Sequence, residues 1–115
     1  MIKTSYFAKY KEKDGVGVSI ALSTPFWFKG ETYRFLAPTW KILKEYRNSD
    51  HTLADQATYE EKYRKEILSK LDPKLIVQGF DGKVLLCYEK TGEFCHRHIV
   101  ARWLKETLNI DVIEI

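Results

Sequence analysis

The chain has 115 residues, of which 44% are hydrophobic and 30% charged, with six Gly, three Pro and two Cys. That size and composition fit one globular domain and exclude a disordered, collagen-like or disulfide-scaffold protein. The net charge of +3 is concentrated early: residues 1–50 carry nine Lys/Arg against five Asp/Glu, a mild excess beside that of strong nucleic-acid binders.

Ile2 to Phe7 is β-prone and predicts a first strand. Lys9 to Gly17 is a charged connector punctuated by glycine. Val18 to Leu22, bounded by Gly17 and Ser23, predicts a second strand. Thr24 to Ala37 holds Pro25, Gly30 and five aromatic residues, and reads as a long structured loop. The longest uncharged run, Gly15 to Phe28, is too short for a bilayer span of about 20 residues, so no membrane association is expected. Lys3 is followed by no apolar leader segment or small-residue cleavage site, which predicts a cytoplasmic protein.

Pro38 suits the first turn of a helix, and Trp40, Leu43 and Tyr46 continue at helical spacing. Thr58 and Glu61 have the spacing of a capping box, predicting a second helix start. Tyr59, Tyr63, Ile67 and Leu71 then repeat every four residues as one buried stripe, closed by Asp72-Pro73. Pro73 to Gln78 has room for one more short helical turn. Val84 to Tyr88 is apolar at every position, the pattern of a central strand in a helix-covered sheet. Ile99, Val100, Trp103, Leu104 and Leu108 form the stripe of a last helix, and Ile110 to Ile115 predicts a final strand. Strand, helix and strand in this order form a βαβ unit. The expected architecture is a single α/β domain over residues 1–115, with a mostly parallel sheet of about four strands and helices packed on it.

Ligands of open α/β sheets bind beyond the carboxyl ends of the strands. Here that place holds Cys87, Glu89, Lys90, Cys95, His96, Arg97 and His98, the densest set of reactive side chains in the chain. Helical spacing places Cys95 and His96 one turn before Ile99 and Val100, pointing toward the sheet. The amides and dipole of a first turn favour an anion and lower a thiol pKa. Free cysteines are also among the most buried residues and serve as packing alone, so the residues leave a catalytic and a packing role open.

Spacing removes several sharper readings. No Arg lies six residues beyond either Cys, no Walker loop is present, and no Cys-x-x-Cys or strand-borne Gly-x-Gly-x-x-Gly occurs. A four-ligand zinc site would need His96 and His98, which lie about 200° apart on a helix, so no metal is expected. No other cofactor is expected, and a Cys87–Cys95 disulfide is disfavoured in a reducing compartment. The segment from Ser23 through Trp27 to Arg34 interleaves aromatic and basic residues, a pattern that stacks bases or simply caps a core. Ser23, after the second strand, and Ser5, in the first, fall at the same sheet edge if those strands are neighbours.

The run Leu85-Leu86-Cys87-Tyr88-Glu89-Lys90, followed by Gly92-Glu93-Phe94-Cys95-His96-Arg97-His98, resembles the C-terminal signature of the family called domain of unknown function 488. Thr4 to Ala8, Ser19 to Ser23 with Pro25 and Trp27, Leu36-Ala37-Pro38 and Leu68 to Pro73 resemble its short members in the same order. Thr91 stands where the family pattern leads one to expect proline, and Phe26 where it leads one to expect a basic residue. The resemblance implies an α/β fold and a shared site, and no established activity.

Two functions are compatible with these residues. The first is an enzyme on a small phosphorylated ligand, nucleotide or nucleic-acid end. Cys95 would be its nucleophile or polar anchor, His96 the acid/base partner, Glu89 an orienting or proton-accepting carboxylate, and Arg97 with Lys90 the anion clamp. The second is a non-catalytic anion- or nucleic-acid-binding module that uses Arg97, Lys90 and the Trp27 segment. Nothing in the residues suggests a protein partner.

Overall fold

The computed structural model describes residues 1–115. Five strands form one sheet: β1 (Lys3–Tyr6), β2 (Val16–Ser19), β3 (Glu31–Thr32), β4 (Lys83–Cys87) and β5 (Ile113–Glu114). Their order is β3-β2-β4-β1-β5, and every neighbouring pair is parallel. The apolar run of β4 lies in the middle of the sheet, in register with β1 (Tyr6 opposite Cys87) and with β2 (Ser19 opposite Leu86). The fifth strand, β3, lies within the aromatic segment expected to be a loop. Both edge strands have only two residues, which limits unpaired backbone at the edges.

The four helices are α1 (Trp40–Arg47), α2 (Leu53–Glu66), α3 (Pro73–Phe80) and α4 (His96–Leu108). All four bury their stripes against one sheet face. Ile42 of α1, Tyr59 and Tyr63 of α2, Ile76 and Phe80 of α3, and Ile99 to Leu104 of α4 share a core with Leu85 and Cys87. The central strand is buried on both faces as expected, with the helices on one of them. Val84 and Leu86 point the other way, toward Phe7, Ala21, Tyr10 and Phe28. Aromatic loops cover this second face because two glycines let them lie against the backbone. A Cβ on Gly17 would stand 2.7 Å from the Tyr10 ring, and one on Gly30 would stand 2.7 Å from the Gly17 carbonyl.

Local chemistry shifts several element starts. Helix α2 begins six residues before the Thr58 position because Thr52 caps it. Thr52 accepts from the Asp55 amide at 3.1 Å and donates its own amide to Asp55 at 3.0 Å, a complete capping box. The Thr58 hydroxyl donates instead to the Ala54 carbonyl inside the helix, at 3.1 Å. Thr39 caps α1 by accepting from the Ile42 amide, so Pro38 stands just outside it. Asp72-Pro73 starts α3 rather than ending α2, with Asp72 as cap and Pro73 in the first turn. Strand β2 starts earlier than expected, since Gly15, at φ 130°, admits the chain into the sheet. No helix is long and apolar enough to cross a membrane.

Candidate functional site

The expected edge of the sheet carries a cleft of about 280 Å³. Its floor is the end of β4 and the start of α4, where Cys87, Cys95 and His96 meet. Its walls come from the turn after β2 and from α1, and Glu89 lies on the β4–α4 side. Parallel pairing of β2 with β4 brings Ser23 to this edge.

Cys95 is the residue before α4, in extended conformation, so its side chain does not follow the helical wheel. That is why Cys95 and His96, adjacent in sequence, both turn inward. Cys95 occupies a position that usually holds Ser, Thr, Asp or Asn, yet its side chain makes no capping bond. Its sulfur lies 3.8 Å from His96 Nδ1, and Cys87 Sγ lies 3.8 Å from the same nitrogen and 3.9 Å from Nε2. His96 Nε2 donates to the Ile20 carbonyl at 2.7 Å, which leaves Nδ1 as the lone-pair nitrogen beside Cys95, while Cys87 Sγ lies over the ring face, nearly equidistant from both nitrogens. The Ile20 carbonyl is at the carboxyl end of β2, so the sheet itself fixes the tautomer.

Burial, and then Cys87 beside it, pushes the Cys95 thiol well above its usual range. This reverses the lowering expected from the helix start, because desolvation outweighs the dipole field. Burial opposes charge on His96, but Cys95 and the Ile20 carbonyl override it and raise its pKa.

The walls are aromatic and partly cationic. Tyr46 stacks on His51 at 4.5 Å with planes 8° apart, and Phe94 packs against Tyr46 at 4.9 Å and Tyr59 at 5.0 Å. His51 holds a left-handed backbone, φ 58°, which turns its ring back onto Tyr46; its amide donates to Ser49 Oγ at 3.2 Å. Arg47 lies over the Trp40 ring at 5.7 Å, and both line the cleft. Sequence reasoning missed Arg47 and His51. Arg47 falls in the last turn of a helix, where a basic residue is ordinary, and the turn after it is not visible as a site until α1 packs over the sheet edge.

Four of the expected site residues line the cleft: Cys95, His96, Glu89 and Ser23. Arg97, Lys90, Ser5 and Trp27 do not. The expected clamp by Arg97 is corrected by its partner. Arg97 is fully buried and grips Glu114 through Nε at 3.1 Å and Nη2 at 2.8 Å, tying α4 to β5. Ser5 Oγ donates to the Ile115 carbonyl at 3.2 Å, also toward β5. Lys90 is exposed on the loop. Trp27 is on the helix-free side, edge-on to Phe7 at 6.3 Å.

Two tests follow from these placements. Trp27 is half exposed, so Trp27→Ala should cost about 1–2 kcal/mol in a urea melt, roughly half the loss for a fully buried ring. A loss above about 3 kcal/mol would make it a core residue. The second test is acid stability. Burial alone would raise the Glu114 pKa, but Arg97, Thr4 and Thr91 hold it down to about 2 from an ordinary 4.5. A depressed folded pKa stabilises above the unfolded value, and that stability is lost as pH falls from about 4.5 toward 2. After solvent screening, the loss should be on the order of 1–2 kcal/mol. Urea melts between pH 5 and pH 2 should show this slope, and Glu114→Gln should flatten it; an unchanged slope would rule out Glu114 as its source.

A protein-family model described as the active DUF488-N3 subclade matches residues 13–108, which include the whole cleft. No curated protein and no solved structure matches the chain.

Proposed function

The chain belongs to the domain of unknown function 488 family, and from that membership and the chemistry of the cleft we propose that it is an enzyme acting on a small phosphorylated ligand of nucleotide type. The observation that carries this reading is the meeting of Cys87, Cys95 and His96 at the floor of an aromatic-walled cleft with Arg47 and His51 on its wall. Concave, largely apolar sites with a few convergent polar groups are the usual form of small-ligand sites. The rings of Trp40, Tyr46 and Phe94 offer an apolar wall for a flat base, and Arg47 offers a cation for its phosphate. The reacting end of the ligand then faces His96 and Glu89, the two groups able to hold or move a proton, with Cys95 as its polar anchor. The size of the cleft favours one nucleoside-sized ligand over a nucleic-acid strand. The family description, with its word "active", favours an enzyme over the non-catalytic binding module.

NMR titration separates these readings. A nucleoside monophosphate should shift the amides of Arg47, His51, Phe94 and His96, and Arg47→Ala should weaken it about tenfold, the worth of one charge-assisted contact. The corresponding nucleoside should be insensitive to Arg47→Ala. Shifts confined to Trp27 and its neighbours would overturn the proposal in favour of a binding surface on the other face.

A further inference from the structure

We propose that Cys87, Cys95 and His96 form a metal site for zinc or another soft divalent ion, with its fourth position open to the cleft. The inference goes beyond the proposed function and depends on no property of the cleft's ligand; with the metal bound, Cys95 and His96 serve as its ligands and Glu89 is the group left to move a proton. The two sulfurs and a His96 nitrogen all lie within 4.8 Å of one another. Each sulfur is 3.8 Å from His96 Nδ1. A tetrahedral zinc with Zn–S of about 2.3 Å and Zn–N of about 2.0–2.1 Å separates S from N by roughly 3.6 Å. Both S–N spacings are therefore within a few tenths of an ångström of those around zinc; Cys87 Sγ, nearly equidistant from Nδ1 and Nε2, lies over the imidazole face, so binding turns the Cys87 side chain toward the Nδ1 lone pair.

Three further features point the same way. Two thiolates and an imidazole are a donor set that selects zinc over magnesium or calcium. His96 presents Nδ1 because its Nε2–H is held by the Ile20 carbonyl, the outer hydrogen bond that metal-bound histidines typically make. Cys95 occupies the capping position of α4 without capping it, so a hydrogen-bonding role does not explain a cysteine there. The objection raised by helical spacing concerned His98, which this set does not use; His98 lies on the other side of α4 from His96 and lines a separate shallow groove with Gln56 and Arg102.

Three protein ligands and one open position are the form of a catalytic rather than a structural zinc. All three ligands line the cleft, so the open position faces the space assigned to the ligand, with Glu89 on the neighbouring wall. Such an ion would polarise a carbonyl or phosphoryl oxygen placed there. Binding deprotonates both thiols and releases the protons to solvent, with no change in oxidation state.

The experiment is a cobalt titration of the reduced, chelator-treated protein. One equivalent of Co²⁺ should produce the intense thiolate-to-cobalt absorption and the visible bands of a tetrahedral ion, and zinc should abolish them. Cys95→Ser and His96→Gln should each weaken binding by at least about tenfold, while His98→Gln should leave it unchanged. Far-UV circular dichroism shows which variants fold. If the ligand variants do not, alkylation of the wild-type chain decides: zinc should protect Cys87 and Cys95 together. Absence of cobalt bands in the folded, reduced protein would overturn the proposal. So would bands that persist in folded His96→Gln, or a Cys87–Cys95 disulfide that forms in the presence of zinc. None of these outcomes depends on nucleotide binding, so the two proposals fail separately.

Discussion

Arg97→Ala should destabilise the protein by about 3–5 kcal/mol, the usual loss when one member of a buried ion pair is removed. Arg97 is wholly buried and Glu114 is its acidic partner at 2.8 Å. Without the guanidinium, Glu114 keeps only the hydroxyls of Thr4 at 2.6 Å and Thr91 at 2.7 Å. The site also gains a cavity the size of a long side chain. In a domain of this size the melting temperature should fall by more than about 10 °C. Arg97→Lys should recover only part of the loss, since an ammonium cannot make the two-pronged contact. Replacing both partners by apolar residues, as in the Arg97→Met, Glu114→Leu double variant, should recover most of it. The discriminating result concerns the cleft: a variant that melts normally but loses phosphate-dependent ligand binding would return Arg97 to the role of anion clamp.

The second large effect is expected in the middle of the sheet. Leu85 and Leu86 are both fully buried, but on opposite faces. Leu85→Ala opens a cavity beneath four helices that cannot all close in, so its cost should lie in the upper half of the 2–5 kcal/mol range for such truncations. Leu86→Ala opens one beneath Phe7, Tyr10 and Phe28, carried on loops that can settle inward, so its cost should lie in the lower half. Urea denaturation of the two variants measures the difference. An equal or larger loss at Leu86 would mean that the loop-covered face is packed as rigidly as the helical one.

These residues also show which parts of the molecule can be read from the sequence. The unbroken apolar run of β4 could be placed as a central strand because burial on both faces suppresses alternation. It could not reveal what covers each face, because Leu86 is equally apolar under a helix or under an aromatic loop. The helical stripes of Tyr59 and Tyr63, and of Ile99 to Leu104, were legible by period. The start of α2 was not, since Thr52 with Asp55 and Thr58 with Glu61 offer the same capping spacing, and tertiary packing does not distinguish them in the sequence.

At the site, Cys95, His96, Glu89 and Ser23 were placed at one edge by the rule for parallel sheets. Arg97 was misassigned because adjacency to Cys95 and His96 says nothing of direction: one residue further into α4 the side chain faces β5 instead of the cleft. The convergence of Cys95 with His96 was hidden for the opposite reason. Wheel geometry holds only for helical backbone, and Cys95 is extended.

The position of β4 also constrains the order in which the molecule assembles. β4 separates β2 from β1, although both precede it by more than sixty residues. Val18 finds its neighbour in Leu85, Lys3 in Val84 and again in Ile113. During synthesis the first two principal strands therefore have no partner in each other, and α1 to α3 have no finished sheet on which to dock. Their apolar faces must wait for residues 83–87, so the amino-terminal two thirds should remain a collapsed, protease-sensitive chain until β4 inserts and closes both seams in one step. Such long-range closure is slow, and a chaperone that holds exposed apolar surface would act in that interval.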